Sequence, residues 1–352
     1  CDEFLTTYIG PIINGKWLDD LGLPYPETMD DWHTMLTRFK EEKGAVAPLT
    51  YESVFISDSL GTSFLGAYGV AEDFYLDEKG EIQYGSVQPG YKQFLETFSK
   101  WYAEGLIDTD VQTVNREQVT AKMTTGESGA SVGHLASRMG DWLKATKGNA
   151  DYSFVGVKYP VLKKGDIPMF TQKEAPINGS AGDAYITTSC KNVEAAIRFL
   201  DYGYSEEGYK LYNFGTEGES YNMVDDYPTY TDAILNNPDM PSSEALTLNA
   251  RSSYNGPFVQ AREYMEQYGF AFPQQKEALD NWTVTKVDKY KLPALTPTAK
   301  ESTEVAEILN SITTYRDEMQ AKYIMGIESL DTYDTYVKNI EKMGLDRVIE
   351  IY

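Results

Sequence analysis

Trp32, Met35, Leu36 and Phe39 recur at the three- and four-residue spacing of one helix face, and Thr28 with Asp31 three positions on forms a capping box ahead of them. This spacing predicts a helix over about 28–43, stopped at Gly44. Phe94, Leu95, Phe98, Trp101 and Tyr102 make a second stripe over about 91–104, ending at Gly105. Asn192 caps a third helix whose Val193, Ala196, Ile197 and Leu200 are expected to face inward. Ser205, Glu206 and Glu207 open a fourth. Near the end, Val305, Ile308, Leu309 and Ile312 stripe one helix, and Tyr333, Tyr336, Val337 and Ile340 another that stops at Gly344.

Between these helices, 153–157 (SFVGV) and 184–188 (AYITT) are β-rich and bounded by Gly, Asp and Pro, so both are predicted to be strands. Helices alternating with strands argue for a layered α/β fold. The stretches 221–251 and 269–297 carry more breakers and weaker periodicity, which predicts connections and short helices. Neither a fixed-period repeat nor a low-complexity tract occurs.

At 352 residues the chain suits two domains of roughly 150 residues each. Its formal charge of -23 repels polyphosphate, which argues against nucleic acid and anionic membranes as partners. No stretch has the ~20 consecutive apolar residues of a membrane-spanning helix, and the first residues lack the basic start and apolar core of a signal peptide. Cys1 and Cys190 allow at most one disulfide and exclude a Cys-rich zinc site. Cys1 is a candidate lipid acceptor, although Asp2, Glu3, Phe4 and Leu5 are not the small polar tether that usually follows one; a chain boundary is the alternative.

The catalytic inventory is thin. With His33 and His134 alone, a multi-histidine metal site is nearly ruled out, and His33 fits a helix surface. Phosphate-binding, HExxH and nucleophile-elbow motifs are missing, so no metal and no cofactor is expected. Paired carboxylates remain open to any acidic chain; Glu217 with Glu219, or Asp225 with Asp226, are nominal pairs that fit solvated turns better.

Several segments, in order, resemble the extracellular solute-binding proteins, family 1, of bacterial ABC importers, in particular their lipoprotein sugar-binding subgroup. They are KWLDDLGLPYPETMDDWHTMLTRFK, FSKWYAEGLIDTD, TTGESGASVG, KNVEAAIRFLDYGYSEEGYKLYNFGTEGESY and, at the end, KYIMGIESLDTYDTYVKNIEKMGLDRVIEIY. The resemblance implies an α/β fold, periplasmic-binding-protein-like type II, with two lobes and a hinge. In the family the WLDDLGL-like segment follows the first lobe's opening elements, so the resemblance implies a first lobe that is incomplete at its amino-terminal side. On that basis 12–183 is the second lobe, 184–250 the returning segment of the first, and 251–352 the cleft edge and closing helices.

What the resemblance further implies is a binder that closes around a carbohydrate, an oligosaccharide, releases it unaltered to the permease subunits of the importer, and works as an extracellular monomer. The 27 Tyr, 14 Phe and 5 Trp suit sugar stacking, though equally a Tyr-rich surface. His134, Ser137, Arg138 and Trp142 follow a strand where similar proteins contact ligand; helix-core packing for Trp142 and a surface cation for Arg138 are the alternatives. Gly179 and Gly182 are hinge candidates, and Asp183 beside them a hydroxyl acceptor, unless the run is a simple turn. Glu217, Tyr221, Tyr254 and Asn255 are further loop candidates, with structural turns as the alternative. Trp17, Trp32 and Trp101 belong to packing. A glycan-active enzyme with paired carboxylates, and a binder of peptides or polyamines on the same scaffold, remain alternatives.

Overall fold

A computed structural model of the protein describes residues 7–53, 61–173, 184–250 and 257–352. In chain order it begins with β1 (Ile9–Asn14), α1 (Gly15–Leu21), α2 (Met29–Glu42), β2 (Leu49–Thr50), β3 (Phe74–Leu76), β4 (Ile82–Tyr84), α3 (Pro89–Ala103), α4 (Arg116–Thr125) and β5 (Ala130–His134). There follow α5 (Asp141–Ala145), β6 (Phe154–Gly156), α6 (Val193–Tyr202), α7 (Glu206–Phe214), β7 (Tyr221–Val224), β8 (Tyr227–Tyr230), α8 (Asp232–Leu235) and α9 (Ser242–Asn249). The last part holds α10 (Arg262–Tyr264), α11 (Pro273–Trp282), α12 (Val287–Tyr290), α13 (Ala299–Ile324), α14 (Tyr333–Lys342) and α15 (Leu345–Ile351). No helix among the described residues is long and apolar enough to cross a membrane.

The chain divides into two compact units. The larger comprises Ile9–Gly133, Thr146–Gln172 and Ala278–Tyr352. Its sheet has the order β2-β5-β1-β6, with β2 parallel to β5 and β1 antiparallel to β6. The sheet meets α2 and α3 through an aromatic core. Trp32 packs edge-on against Phe64 at 5.0 Å, and Phe64 in turn meets Phe98 at 5.3 Å. The α2 stripe is buried as its spacing requires, the α3 stripe is buried at Phe94, Leu95, Phe98 and Trp101 with Tyr102 half-buried, and the Thr28–Asp31 capping box is formed in both directions. Trp17, Trp32 and Trp101 are core residues, as expected. His33 is half-buried on α2, its Nε2 2.6 Å from Glu104 Oε2.

Trp282 organises the edge of this unit. Its indole is fully buried against the backbones of Gly10 and Gly156, and its Nε1–H donates to the Val157 carbonyl at 3.0 Å. The closing helices carry a buried ionic group: Arg316 on α13 lies 2.7 Å from Asp73 and 3.9 Å from Glu72.

The smaller unit comprises Cys1–Tyr8, His134–Ala145 and Lys173–Glu277. Its core gathers Phe214, Tyr221, Tyr230, Ile234, Leu246, Tyr264, Met265 and Tyr268. Here the structure corrects three sequence expectations. The run 184–188 forms no strand; residues 184–187 are irregular and exposed. The stripe of α6 does not face inward, since no residue of that helix is buried. The stretch 221–230, expected as a connection, is a hairpin with Tyr221 opposite Tyr230 and Val224 opposite Tyr227. Asp225 and Asp226 form its two-residue turn at φ 51° and 62°, the geometry that matches strand twist.

Candidate functional site

The segment His134–Ala145 is a short excursion into the smaller unit, entered straight from β5. A π-helical turn, Leu135–Gly140, opens it and α5 closes it. Single π-turns of this kind are concentrated at functional sites because they re-aim side chains without ending a helix. A second π-turn, Met265–Gly269, packs on the first.

Three sets of contacts hold the segment. The Leu135 N–H donates to the Tyr8 carbonyl at 2.8 Å, and the Tyr8 and His134 rings stack at 5.7 Å with 21° between their planes. The buried Gln275 amide donates to the Leu135 carbonyl at 2.8 Å, while its oxygen accepts from the Phe272 N–H at 3.0 Å. At the far end Lys144 donates to Ser242 Oγ at 3.2 Å and also reaches the Leu235 carbonyl, and Ser243 donates to Asp141 at 3.4 Å.

Within this frame the nominated residues separate by burial. His134 and Ser137 are half-buried and present polar atoms at the turn. Arg138 is buried, and its Nη1 donates to the Ser137 carbonyl at 3.0 Å and Ser137 Oγ at 3.3 Å. Trp142 is wholly enclosed and shows no ring face to solvent; its indole packs the unit. Tyr221 is likewise in the core, its ring 5.6 Å from Phe214. Glu217 and Glu219 lie exposed in the turn before β7. Gly179, Gly182, Asp183, Tyr254, Asn255 and Cys1 lie outside the described residues.

Tyr8 and Gln275 were not singled out by the sequence. Gln275 left a faint signal, Pro273 and then Gln275 at the first and third positions of α11, the reciprocal half of a cap. Tyr8 left none, since its partner is remote in sequence. Burial, with Glu263 beside it, pushes the Tyr209 hydroxyl up to about 12. The Asp225–Asp226 pair sits at the hairpin tip, and among the described residues no group of three or more His, Cys, Asp or Glu is arranged to hold a metal ion.

Comparison with known proteins bears on the whole chain. The fructooligosaccharide ABC transporter substrate-binding protein FusA of Streptococcus pneumoniae is 22% identical over 361 residues, covering 96% of this chain and 63% of FusA. Lipoprotein LipO of Bacillus subtilis is 27% identical over 230 residues, 61% of this chain and 44% of LipO. The chain thus spans less than two thirds of either relative. Among solved structures, the alginate-binding protein AlgQ2 superposes with a TM-score of 0.81 at 22% identity, over 98% of this chain and 71% of AlgQ2. FusA in complex with kestose gives 0.75 at 20% identity, over 99% of this chain and 71% of FusA. These superpositions establish the expected α/β, periplasmic-binding-protein-like fold. Residues 4–210, more than half of the 352, match the sequence profile of one family: the chain belongs to the bacterial extracellular solute-binding proteins.

Proposed function

We propose that the protein binds an oligosaccharide outside the cell and hands it, chemically unchanged, to the permease of an ABC importer. Family membership over residues 4–210 carries this reading, and the sugars named for FusA and AlgQ2 support the ligand class. His134 and Ser137, backed by Tyr8 and Arg138, are the contacts we assign to the ligand: an imidazole stacked on a phenol offers an apolar face with polar edges, which is what a pyranose or furanose ring requires. Gly179 and Gly182 are proposed as hinge positions, with Asp183, Glu217, Tyr254 and Asn255 as further polar contacts. The protein acts as a monomer and makes or breaks no bond.

A thermal-shift screen across neutral oligosaccharides, peptides and polyamines tests the reading. An oligosaccharide at about 100 times its dissociation constant is expected to add about 2.7 kcal/mol to stability and to be recovered intact. Stabilisation by polyamines alone, which the charge of -23 would favour, replaces the sugar assignment, and cleavage of the oligosaccharide replaces binding by catalysis. His134→Ala is expected to weaken binding by about tenfold, and to lower the ligand-free melting temperature slightly through loss of the Tyr8 stack. Equal affinity in that variant removes this segment from the site.

A further inference from the structure

The turn Leu135–Gly140 is π-helical, and π geometry is rare beside the α ladder, so a π-turn persists where something holds it. In such a turn the backbone bond runs from residue i to i+5, and Gly140 stands at i+5 from Leu135. What holds this one is a side chain from α11. Gln275 is wholly buried, and its Nε2 donates to the Leu135 carbonyl at 2.8 Å from outside the turn. A carbonyl has two lone pairs, so the amide supports Leu135 without displacing the backbone bond. Gly140 makes room for that amide. Its φ is not positive, so space is the reason for a glycine there: a Cβ would lie 2.8 Å from Gln275 Nε2.

The same amide reaches the π-turn packed on the first. Its oxygen accepts from the Phe272 N–H at 3.0 Å, which fixes the start of α11 just after Met265–Gly269, and that turn carries its own i to i+5 bond, from the Phe270 N–H to the Met265 carbonyl at 2.8 Å. One side chain therefore gives its donor to the first turn and its acceptor to the segment leaving the second. Both ends of the first turn are fixed by other contacts. On one side are β5 and the Leu135 N–H on the Tyr8 carbonyl; on the other, Lys144 on Ser242 Oγ and the Leu235 carbonyl. Relaxation to α pairing would move the Leu135 carbonyl onto the N–H of Met139, at i+4, and change the register by one residue, about 100° of helical rotation. With both ends held, that change falls on the middle of the turn, Ser137 and Arg138.

We propose that Gln275, seated on Gly140, is a positioning residue: it holds Leu135–Gly140 in π register and so sets the face that Ser137 and Arg138 turn to the ligand. Gln275 is itself enclosed and acts only through the turn. What binds there rests on the carbohydrate reading above, whereas the register of the turn belongs to the ligand-free protein.

Ligand-free crystal structures of the wild type, Gln275→Ala and Gly140→Ala test the register, and calorimetry tests its consequence, with whichever of kestose, raffinose and maltotriose the wild type binds most tightly. Both variants are expected to show 135–140 in α geometry with Ser137 and Arg138 re-aimed, and to bind the trisaccharide at least ~10-fold more weakly. Because both act through one contact, the double variant Gly140→Ala/Gln275→Ala is expected to bind no more weakly than Gln275→Ala alone. Thr28→Ala, which loses a helix cap in the larger unit, is expected to keep wild-type affinity. A turn that stays π in both single variants overturns the proposal, as does a re-aimed turn with wild-type affinity. Losses that multiply in the double variant overturn it as well, and so does an equal loss in Thr28→Ala, which would mark a general effect of stability. Should Gln275→Ala not fold, Gly140→Ala decides, since it leaves every atom of Gln275 present. A wild type that binds none of the three sugars counts against the carbohydrate reading alone, and the geometry of the turn in the ligand-free variants then decides the role of Gln275.

Discussion

Gly10 owes its identity to Trp282, and Gly156 chiefly to Ala278 on the same helix. Neither has a positive φ, so conformational freedom is not the reason; space is. A Cβ on Gly10 would lie 2.3 Å from Trp282 Cε2, and one on Gly156 would lie 2.2 Å from the Ala278 Cβ. Trp282→Ala is expected to cost about 3–5 kcal/mol through the cavity it leaves. Gly10→Ala is expected to cost about 1–3 kcal/mol by overpacking in the wild-type background, and less than about 0.5 kcal/mol beside Trp282→Ala, where the indole is gone. Urea denaturation of the four proteins reads the coupling directly. An equal cost of Gly10→Ala in both backgrounds would show that the indole is not what excludes a side chain. None of this was legible in the sequence, where Gly10, Gly156 and Trp282 are separated by more than a hundred residues and carry no local pattern. The same holds for Tyr8 and Gln275, which hold the His134–Ala145 segment from far away in the chain. His134 and Arg138 could be nominated because they follow a strand directly, whereas the burial of Trp142 and Tyr221 depends on what packs over them.

At the scale of the element, helices whose stripe is buried by their own unit were readable to within a residue or two. The Thr28–Asp31 box set the start of α2, and its loss in Thr28→Ala is expected to cost about 1 kcal/mol, measurable as a lower urea midpoint with unchanged slope. Shorter pieces were not readable. Strand β2 has two residues and exists because β5 lies beside it, with Leu49 opposite Ala130. The β7–β8 hairpin was masked by Asp225, Asp226 and Pro228, which mark a loop when counted as breakers and a tight turn when their positions are considered. Asp226 is exposed and held at φ 62°, so Asp226→Gly relieves left-handed strain and is expected to stabilise the protein by a few tenths to about 1 kcal/mol. A loss of stability in that variant would mean that the Asp226 side chain contributes more to the turn than its backbone costs. Helix α6 failed differently: its cap at Asn192 was read correctly, but its stripe, expected to face inward, has no buried residue.

For the molecule as a whole, the tyrosines set the response to alkali. Tyr51, Tyr84, Tyr91, Tyr159 and Tyr336 are all buried in the larger unit. Burial raises each hydroxyl above its ordinary value of 10.0: Tyr84 to about 12 and Tyr91 and Tyr336 well above it, with only partial relief at Tyr84 from the Arg316 guanidinium. Tyr68 is also pushed up to about 12, chiefly by burial and in spite of its hydrogen bond to Thr97. Between pH 10 and pH 12 the unfolded chain therefore releases phenolic protons that the folded chain retains. The folded state binds more protons in that window, so stability falls as pH rises; the contribution is fully present below pH 10. Each fully buried hydroxyl that stays protonated removes about 1.4 kcal/mol per pH unit there. Because these groups share one unit, the larger unit is expected to lose its structure first, with tyrosinate absorbance appearing in step with the loss of its tertiary signal. Urea midpoints taken at half-unit steps from pH 8 to pH 12 should be level at first and then fall steeply. Gradual tyrosinate formation from pH 10 with level midpoints would mean that the hydroxyls ionise inside a folded unit, and that their burial does not govern its stability.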